Sequence, residues 1–301
     1  MTTLEVLREK VLEELAACLL DRGDSGYRLL APAASGVVGQ VGMRIPFSFP
    51  ARVWEERMVF EVRFRARRVG VDAVRRARQL LAAAWARQSP GPARHRYLLF
   101  SATGFTVASQ RLAFAREIPM VDLSRPAFAP LVRAADRVAT EMARLVENGG
   151  IAPFSTVQLR AAVRAALGTG SSAAPDHPEL ARIAAGVTPP DSCLLIGFSD
   201  TLPLVILMPE SPQGFAAYLD RAPQPDIEVR VERVAGPAQW ALIPADGSAA
   251  FRLFFTLPPQ LADWLLGSDD EAYGSERTRL SPIVLHTGGR LVQLVPHLAS
   301  A

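Results

Sequence analysis

A glutamate and an arginine two residues apart, in the triplet Glu61-Val62-Arg63, are the side chains best placed for chemistry in this chain. Apolar and charged residues alternate over residues 57–66, which predicts a β-strand whose successive side chains point to opposite faces. Glu61 and Arg63 therefore share one face of that strand. A guanidinium can hold a phosphate, and a glutamate on the same face can form an ion pair with it.

The chain has almost no lysine. Lys10 is the only lysine among 301 residues, and the remaining 32 of the 33 basic residues are arginine. Arginine stays protonated, so it binds phosphate but cannot shuttle a proton as an amine can. The same scarcity excludes a P-loop, which needs a Gly-Lys-Ser/Thr sequence.

The first half of the chain predicts a mixed sheet flanked by helices, because its elements follow the order αβββαβαβα. Residues 3–21 predict an amphipathic helix, and the later helices are expected at about 70–87, 106–116 and 126–147. Strands are expected at 27–31, 37–49, 57–66, 96–101 and 118–122.

This order, together with two motifs, resembles the Mrr-like branch of the restriction-endonuclease-like superfamily over about residues 4–147. The motifs are Glu61-Val62-Arg63 and the segment Ser101-Ala102-Thr103-Gly104-Phe105, which resembles the family's element after its fourth core strand. In that segment Gly104 supplies a tight turn, and Thr106 or Ser101 caps the next helix. The resemblance implies an α/β restriction-endonuclease-like domain.

The family carries a PD-(D/E)xK site, in which two acidic groups and a lysine bind Mg²⁺. Here Arg63 stands in place of the lysine, and no Asp or Glu occurs between Ala31 and Trp54, where Gln40 or Arg44 would occupy the position of the other acid. The resemblance therefore implies that Glu61 and Arg63 are vestigial and that no metal binds, or that Glu61 is the ligand if one does. An ion pair of Glu61 with an arginine is the expected alternative, and Glu14 on the first helix is a candidate replacement ligand.

Charge separates the two halves of the chain. Residues 1–150 hold 23 basic and 15 acidic residues, or +8, whereas residues 151–301 hold 10 and 15, or −5. This asymmetry favours an anionic partner such as DNA for the first half. The predicted nucleic-acid-binding residues form the densest basic run: Arg65, Arg67, Arg68, Arg75, Arg76 and Arg78. No aromatic residue follows Phe64 within this run, which argues against a platform that stacks single strands.

The second half predicts a separate, acidic α+β domain. We expect domains at 1–148 and 179–301, joined by a helix capped by Ser155 and a flexible linker over 149–178. Seven strands are predicted at about 192–198, 203–208, 226–234, 238–243, 250–255, 282–286 and 291–295, with helices at 179–185, 212–220 and 258–266. Residues 179–301 are therefore the candidate region for binding a protein partner.

Three hypotheses for function remain open from the sequence. The first is a catalytically degenerate domain that binds nucleic acid or a partner protein. The second is an active Mg²⁺-dependent DNA endonuclease with rearranged ligands, in defence or repair, and the third is a structural scaffold. Cys18 and Cys193 lie far apart and predict neither a disulfide framework nor a metal site. The charged N-terminal segment is unlike a signal peptide, and no membrane contact and a cytoplasmic location are expected.

Overall fold

The computed structural model describes residues 4–23, 28–29, 41–49, 52–86, 93–125, 128–168, 177–187, 191–202, 204–222, 225–234, 239–257 and 280–298. The chain forms two compact units. The first comprises residues 1–21 and 27–190, and the second comprises residues 22–26 and 191–301.

The first unit contains six helices and five strands among its described residues. In chain order they are α1 (Leu4–Asp21), β1 (Arg28–Leu29), β2 (Val41–Phe49), β3 (Arg52–Arg63), α2 (Val71–Ala86), β4 (Ala93–Ser101), α3 (Val107–Phe114), β5 (Met120–Asp122), α4 (Ala129–Glu147), α5 (Thr156–Leu167) and α6 (Pro178–Ala184). The strand order is β1-β2-β3-β4-β5. The pairs β1–β2 and β2–β3 are antiparallel, and the pairs β3–β4 and β4–β5 are parallel.

The two parallel connections place α2 and α3 over the sheet. A parallel strand pair needs a crossover, and here α2 joins β3 to β4 while α3 joins β4 to β5. Val74 and Ala77 of α2 are fully buried in one apolar cluster with Tyr97 and Leu99 of β4. This packing fixes β4 and α2 relative to each other.

Helix α1 is buried almost all round, although its sequence predicts an amphipathic helix with an exposed polar face. Every residue from Lys10 to Leu20 is buried, because α1 packs against α4, α5 and β3. A helix enclosed in this way must find partners for each charge it carries, since an isolated buried charge is very costly. Lys10, Glu13 and Glu14 are the charges in question.

The first unit extends beyond the boundary that the sequence predicts. Helix α5 packs against α1, and α6 packs against α5 and α4, so both belong to the first unit. Ser155 caps α5 as predicted, in a reciprocal capping box with Gln158. The segment predicted as a linker thus lies between two helices of one unit, and residues 169–176 within it lie outside the described residues.

The second unit is a closed barrel of seven strands with one described helix. The elements are β6 (Leu195–Phe198), β7 (Val205–Pro209), α7 (Pro212–Arg221), β8 (Asp226–Arg233), β9 (Gln239–Pro244), β10 (Leu253–Thr256), β11 (Ile283–Thr287) and β12 (Arg290–Leu298). The barrel order is β10-β7-β6-β11-β12-β8-β9, and only the β8–β12 pair is parallel. The helix predicted at 258–266 lies outside the described residues.

None of the described helices combines the length and the apolar character that a membrane crossing requires.

Candidate functional site: buried carboxylates and exposed arginines

Glu61 and Arg63 lie at the carboxyl end of β3, on one strand face as the alternation predicts. In the register of the sheet, Glu61 is level with Leu99 of β4, and Arg63 is level with Ser101. Ser101 is in turn level with Asp122, the last residue of β5. The pair therefore sits where three parallel strands end, the edge at which ligands bind in many open α/β sheets.

The Glu61 carboxylate is buried, and only one of its two oxygens accepts a hydrogen bond. Only 4% of Glu61 is exposed. Its Oε1 forms an ion pair with Arg63, and the Tyr97 hydroxyl donates a hydrogen bond to Oε2. Burial and the neighbouring carboxylate raise the pKa of Tyr97, so the phenol stays neutral and acts as a donor. The predicted ion pair of Glu61 with an arginine is confirmed.

A second carboxylate, Glu9 of α1, reaches the same arginine. Its Oε2 lies 3.9 Å from Nη1 of Arg63, and its Oε1 lies 3.1 Å from Nε of Arg65. The backbone N–H of Phe64 also donates to Oε1 at 3.3 Å. Burial raises the pKa of Glu9, and the arginines and this hydrogen bond oppose the rise. Arg63 thus lies between two carboxylates from different elements.

This arrangement does not fit the Mg²⁺ site that the resemblance implies. Mg²⁺ needs free oxygen ligands, whereas Glu61 forms an ion pair with Arg63 and accepts from Tyr97, and Glu9 forms an ion pair with Arg65. Arg63 cannot lose its proton to make room for a cation. Within the described ranges, no group of three or more His, Cys, Asp or Glu side chains is arranged to hold a metal ion. Gln40 lies outside those ranges, and for Arg44 of β2 only the backbone is described.

Glu14, the candidate replacement ligand, is held in a buried ion-pair cluster instead. Its Oε1 lies 2.6 Å from Nε of Arg160, and its Oε2 pairs with Arg164, both on α5. The Glu14 side chain is 1% exposed. Because both oxygens are engaged by guanidinium groups, Glu14 joins α1 to α5 and is not a free ligand.

Glu13 and Lys10 form a third buried pair on α1. The Lys10 ammonium donates to Oε2 of Glu13 at 2.9 Å. Burial raises the pKa of Glu13 to about 7, although Lys10 and Arg160 act in the opposite direction. This carboxyl group therefore titrates near neutral pH inside the fold.

Replacing Glu13 by glutamine should remove one component of the pH dependence of stability. A carboxyl group with a raised folded-state pKa stabilises the fold below its unfolded pKa of 4.5, and this contribution is lost as pH rises through about 7. The loss for wild type between pH 5 and pH 8 is about 3 kcal/mol, at roughly 1.4 kcal/mol per pKa unit. Denaturant unfolding of both proteins at each pH measures it. Parallel curves for the two proteins would show that Glu13 does not titrate in this range.

The predicted nucleic-acid-binding arginines are exposed, but two of them already have partners. Arg65 pairs with Glu5 and Glu9, and Arg75 lies 3.1 Å from Asp72. The other four show no ion pair with any carboxylate of the described residues; they are Arg67, Arg68, Arg76 and Arg78. Exposed arginines without an internal partner remain available to an external anion.

The loop that carries Arg67 and Arg68 is fixed by backbone hydrogen bonds to the loop after β4. The N–H of Val69 donates to the Gly104 carbonyl at 2.9 Å, and the N–H of Thr106 donates to the Val69 carbonyl at 3.0 Å. The Thr103 hydroxyl donates to the Arg67 carbonyl at 2.9 Å. A fixed backbone reduces the entropy that these arginines lose on binding a ligand.

The turn at Gly104 explains the Ser101–Phe105 motif. Gly104 has φ of +78°, and a Cβ there would lie 2.9 Å from a carboxylate oxygen of Asp122, so glycine is required. Thr106 is the N-cap of α3, which confirms one of the two expected caps. The Ser101 hydroxyl donates to the Gly104 carbonyl and supports the turn instead.

The three arginines of α2 do not form one patch. Successive residues of a helix are rotated by about 100°, so Arg76 and Arg78 point about 160° apart, with Arg75 between them. A single strand of phosphates therefore contacts at most one of Arg76 and Arg78 together with Arg75.

Two further exposed arginines, Arg111 and Arg116, lie on or just after α3 and were missing from the sequence prediction. Neither has an ion pair with a carboxylate in the part of the chain that the structure describes. The sequence gives only a weak indication of these two arginines, because they lie in or next to a helix of mixed composition and not in a dense basic run.

The second unit carries a cleft of about 490 Å³ beside α7 and the ends of β8 and β9. Three carboxylates line it, from Asp226, Glu228 and Asp246, together with Tyr218 and Arg221. This surface is the acidic feature that the charge separation predicts for the second half.

Comparison of the chain with protein-family models, with curated proteins and with solved structures finds no match in any of the three.

Proposed function

We propose that the first unit binds nucleic acid through its exposed arginines and has no nuclease activity of its own. The observation that carries this proposal is the division of charge in the first unit. Its central carboxylates are buried and paired with arginine, while Arg67, Arg68, Arg76 and Arg78 are exposed and show no ion pair within the described residues. Such a surface attracts a polyanion.

The resemblance to the restriction-endonuclease-like superfamily supports the proposal through particular elements. The elements that support it are the helix–strand order, the Glu-x-Arg triplet at the end of β3 and the turn at Gly104. On this proposal the domain is a degenerate member that keeps the nucleic-acid side of the fold. We expect it to act in the cytoplasm.

The absence of nuclease activity follows from the partners of Glu61. A metal ion at this site would have to displace Arg63 and Tyr97 from the carboxylate. It would also sit beside a permanent positive charge, which lowers the affinity for any cation. The active-nuclease hypothesis therefore requires ligands from outside the described residues.

The protein should bind a DNA duplex in EDTA, with no requirement for Mg²⁺, and it should not cut plasmid or linear DNA with Mg²⁺ or Mn²⁺. Arginine–phosphate contacts need no metal, and Glu61 offers no free oxygen for one. Fluorescence anisotropy measures binding, and gel analysis of the same samples measures cleavage. Metal-dependent cleavage that disappears in Glu61→Ala would favour the active nuclease. Absence of binding to both duplex and single-stranded nucleic acid at low salt would favour the scaffold hypothesis.

A protein partner for residues 179–301 stays a prediction. The three carboxylates of the cleft beside α7 favour a basic segment as its ligand.

A further inference from the structure

Helix α3 exposes one face that carries two large apolar side chains, one of them aromatic, with an arginine between them. Val107 is 50% exposed and Phe114 is 44% exposed, and both are large for solvent-facing positions. Arg111 follows Val107 by four residues and precedes Phe114 by three, so the three side chains share one helix face. The aromatic ring and the guanidinium are therefore neighbours in solvent.

Helix α2, which carries arginines of its own, lies next to α3. Val69 and Phe105 form a parallel bridge, and each helix begins two residues later, at Val71 and at Val107. The helices follow parallel strands and contact each other, so they run side by side in the same direction. Arg75 is consequently level with Arg111, and Arg78 is level with Phe114. Packed helices lie about 8–10 Å apart, within the reach of an arginine side chain.

We propose that Phe114 is a stacking position for an unpaired base, and that the nucleic acid crossing α3 is single-stranded. This inference rests on the proposed function, because it assigns the form of nucleic acid that the same basic surface binds. In a duplex the faces of the bases are covered by neighbouring bases, so an exposed protein ring has no free base face on which to stack. A single strand offers both base faces for stacking and phosphates for arginine.

The aromatic residue that the basic run lacks in sequence is thus supplied by the next helix. The sequence argues against a stacking platform within the arginine run, because no aromatic residue follows Phe64 there. Phe114 lies near Arg111 on its own helix, and α3 contacts α2, the helix that carries Arg75 and Arg78. A platform can be assembled across two helices in this way even though the two motifs are far apart in sequence.

Charge complementarity decides between a nucleic acid and a protein as the occupant of this face. Arg111 and Arg116 are exposed and have no ion pair among the described residues. The exposed acids nearby are Asp72, which pairs with Arg75, and Glu117. The surplus is positive around an exposed ring, a combination that suits phosphates and bases better than an apolar protein surface.

The test compares the full-length protein with Phe114→Ala and Phe114→Tyr, using labelled oligothymidylate of about 20 nucleotides and a duplex of the same length. Phe114→Ala should weaken single-strand binding about 5- to 100-fold, which corresponds to the loss of one stacked base. Phe114→Tyr should keep wild-type affinity because it keeps the ring. Duplex affinity should stay within about 2-fold of wild type in both variants, since the ring contacts no phosphate. Val157→Ala, which trims another exposed apolar residue, is the matched control.

An oligouridylate arm distinguishes RNA from DNA as the source of the strand. Wild type that binds duplex but not single strands, or a Phe114→Ala variant with unchanged single-strand affinity, would overturn the stacking proposal and leave the proposed function intact. An equal loss for single strand and duplex would also overturn it. Failure of wild type to bind either form would overturn the proposed function itself. Thermal melts establish that each variant is folded.

Discussion

Replacing Glu14 by alanine is expected to lower the free energy of unfolding by about 3–5 kcal/mol, the usual cost of removing one partner from a buried ion pair. The substitution leaves Arg160 and Arg164 without the carboxylate that holds them, and their side chains are only 7% and 12% exposed. The Nη2 group of each arginine is buried and finds no other acceptor within the described residues. Urea unfolding monitored by circular dichroism measures the loss.

Glu5→Ala is the matched control, because Glu5 lies on the same helix but its ion pair with Arg65 is exposed. Exposed pairs contribute about 0–1 kcal/mol, so this variant should unfold close to wild type. A loss below about 1 kcal/mol for Glu14→Ala would mean that both arginines turn to solvent at little cost. In that case Glu14 would again be a candidate metal ligand, and its ion pairs with α5 would not be needed to stabilise the first unit.

Replacing Arg67 and Arg68 together by alanine is expected to weaken nucleic-acid binding about 10- to 100-fold near 0.1 M salt. Each phosphate contact contributes about 0.9 to the slope of log affinity against log salt. Relative to about 1 M salt, each contact therefore raises the affinity at 0.1 M by about 0.9 decade, and the loss of two contacts lowers it by nearly two decades. These two arginines are chosen because their loop is fixed by hydrogen bonds to the Gly104 turn. Fluorescence anisotropy at constant salt measures the change.

The charge-matched control replaces Arg133 and Arg144, two exposed arginines of α4. It lowers the net charge by the same amount but removes no proposed phosphate contact, so its affinity should change by less than about 3-fold. Equal losses in both variants would show that net charge alone governs binding. Single Arg76→Ala and Arg78→Ala variants then report which side of α2 faces the ligand, since the two side chains point in nearly opposite directions.

Local patterns allowed much of the first unit to be predicted. Strand alternation placed Glu61 and Arg63 on one face, because side chains in a strand repeat with a period of two. Gly104 and Thr106 act through turn and cap chemistry within a few residues, so the sequence carries their signal directly. The seven strands of the second unit also lie close to their predicted positions. Membership of the restriction-endonuclease-like superfamily stays a prediction.

Features that depend on distant packing could not be predicted in this way. Glu9 and Tyr97 reach the Glu61 site from α1 and β4, and no local pattern indicates that these elements meet there. Glu14 of α1 is a candidate metal ligand from the sequence, yet its partners are arginines about 150 residues away on α5. The glycine- and proline-rich run after α5 is typical of a linker, although the helices on both sides pack into one unit. Closure of the barrel likewise depends on long-range pairing, of β11 with β6 and of β12 with β8.

The salt dependence of nucleic-acid affinity, measured for wild type and for the Arg67/Arg68 double alanine variant, tests the central claim most directly. The account predicts a steep linear fall of log affinity with log salt for wild type, and a slope smaller by about 2 in the variant, because each arginine releases about one counterion. Addition of EDTA should leave both slopes unchanged. A flat wild-type slope, or equal slopes for the two proteins, would contradict the claim that these exposed arginines bind a phosphate backbone.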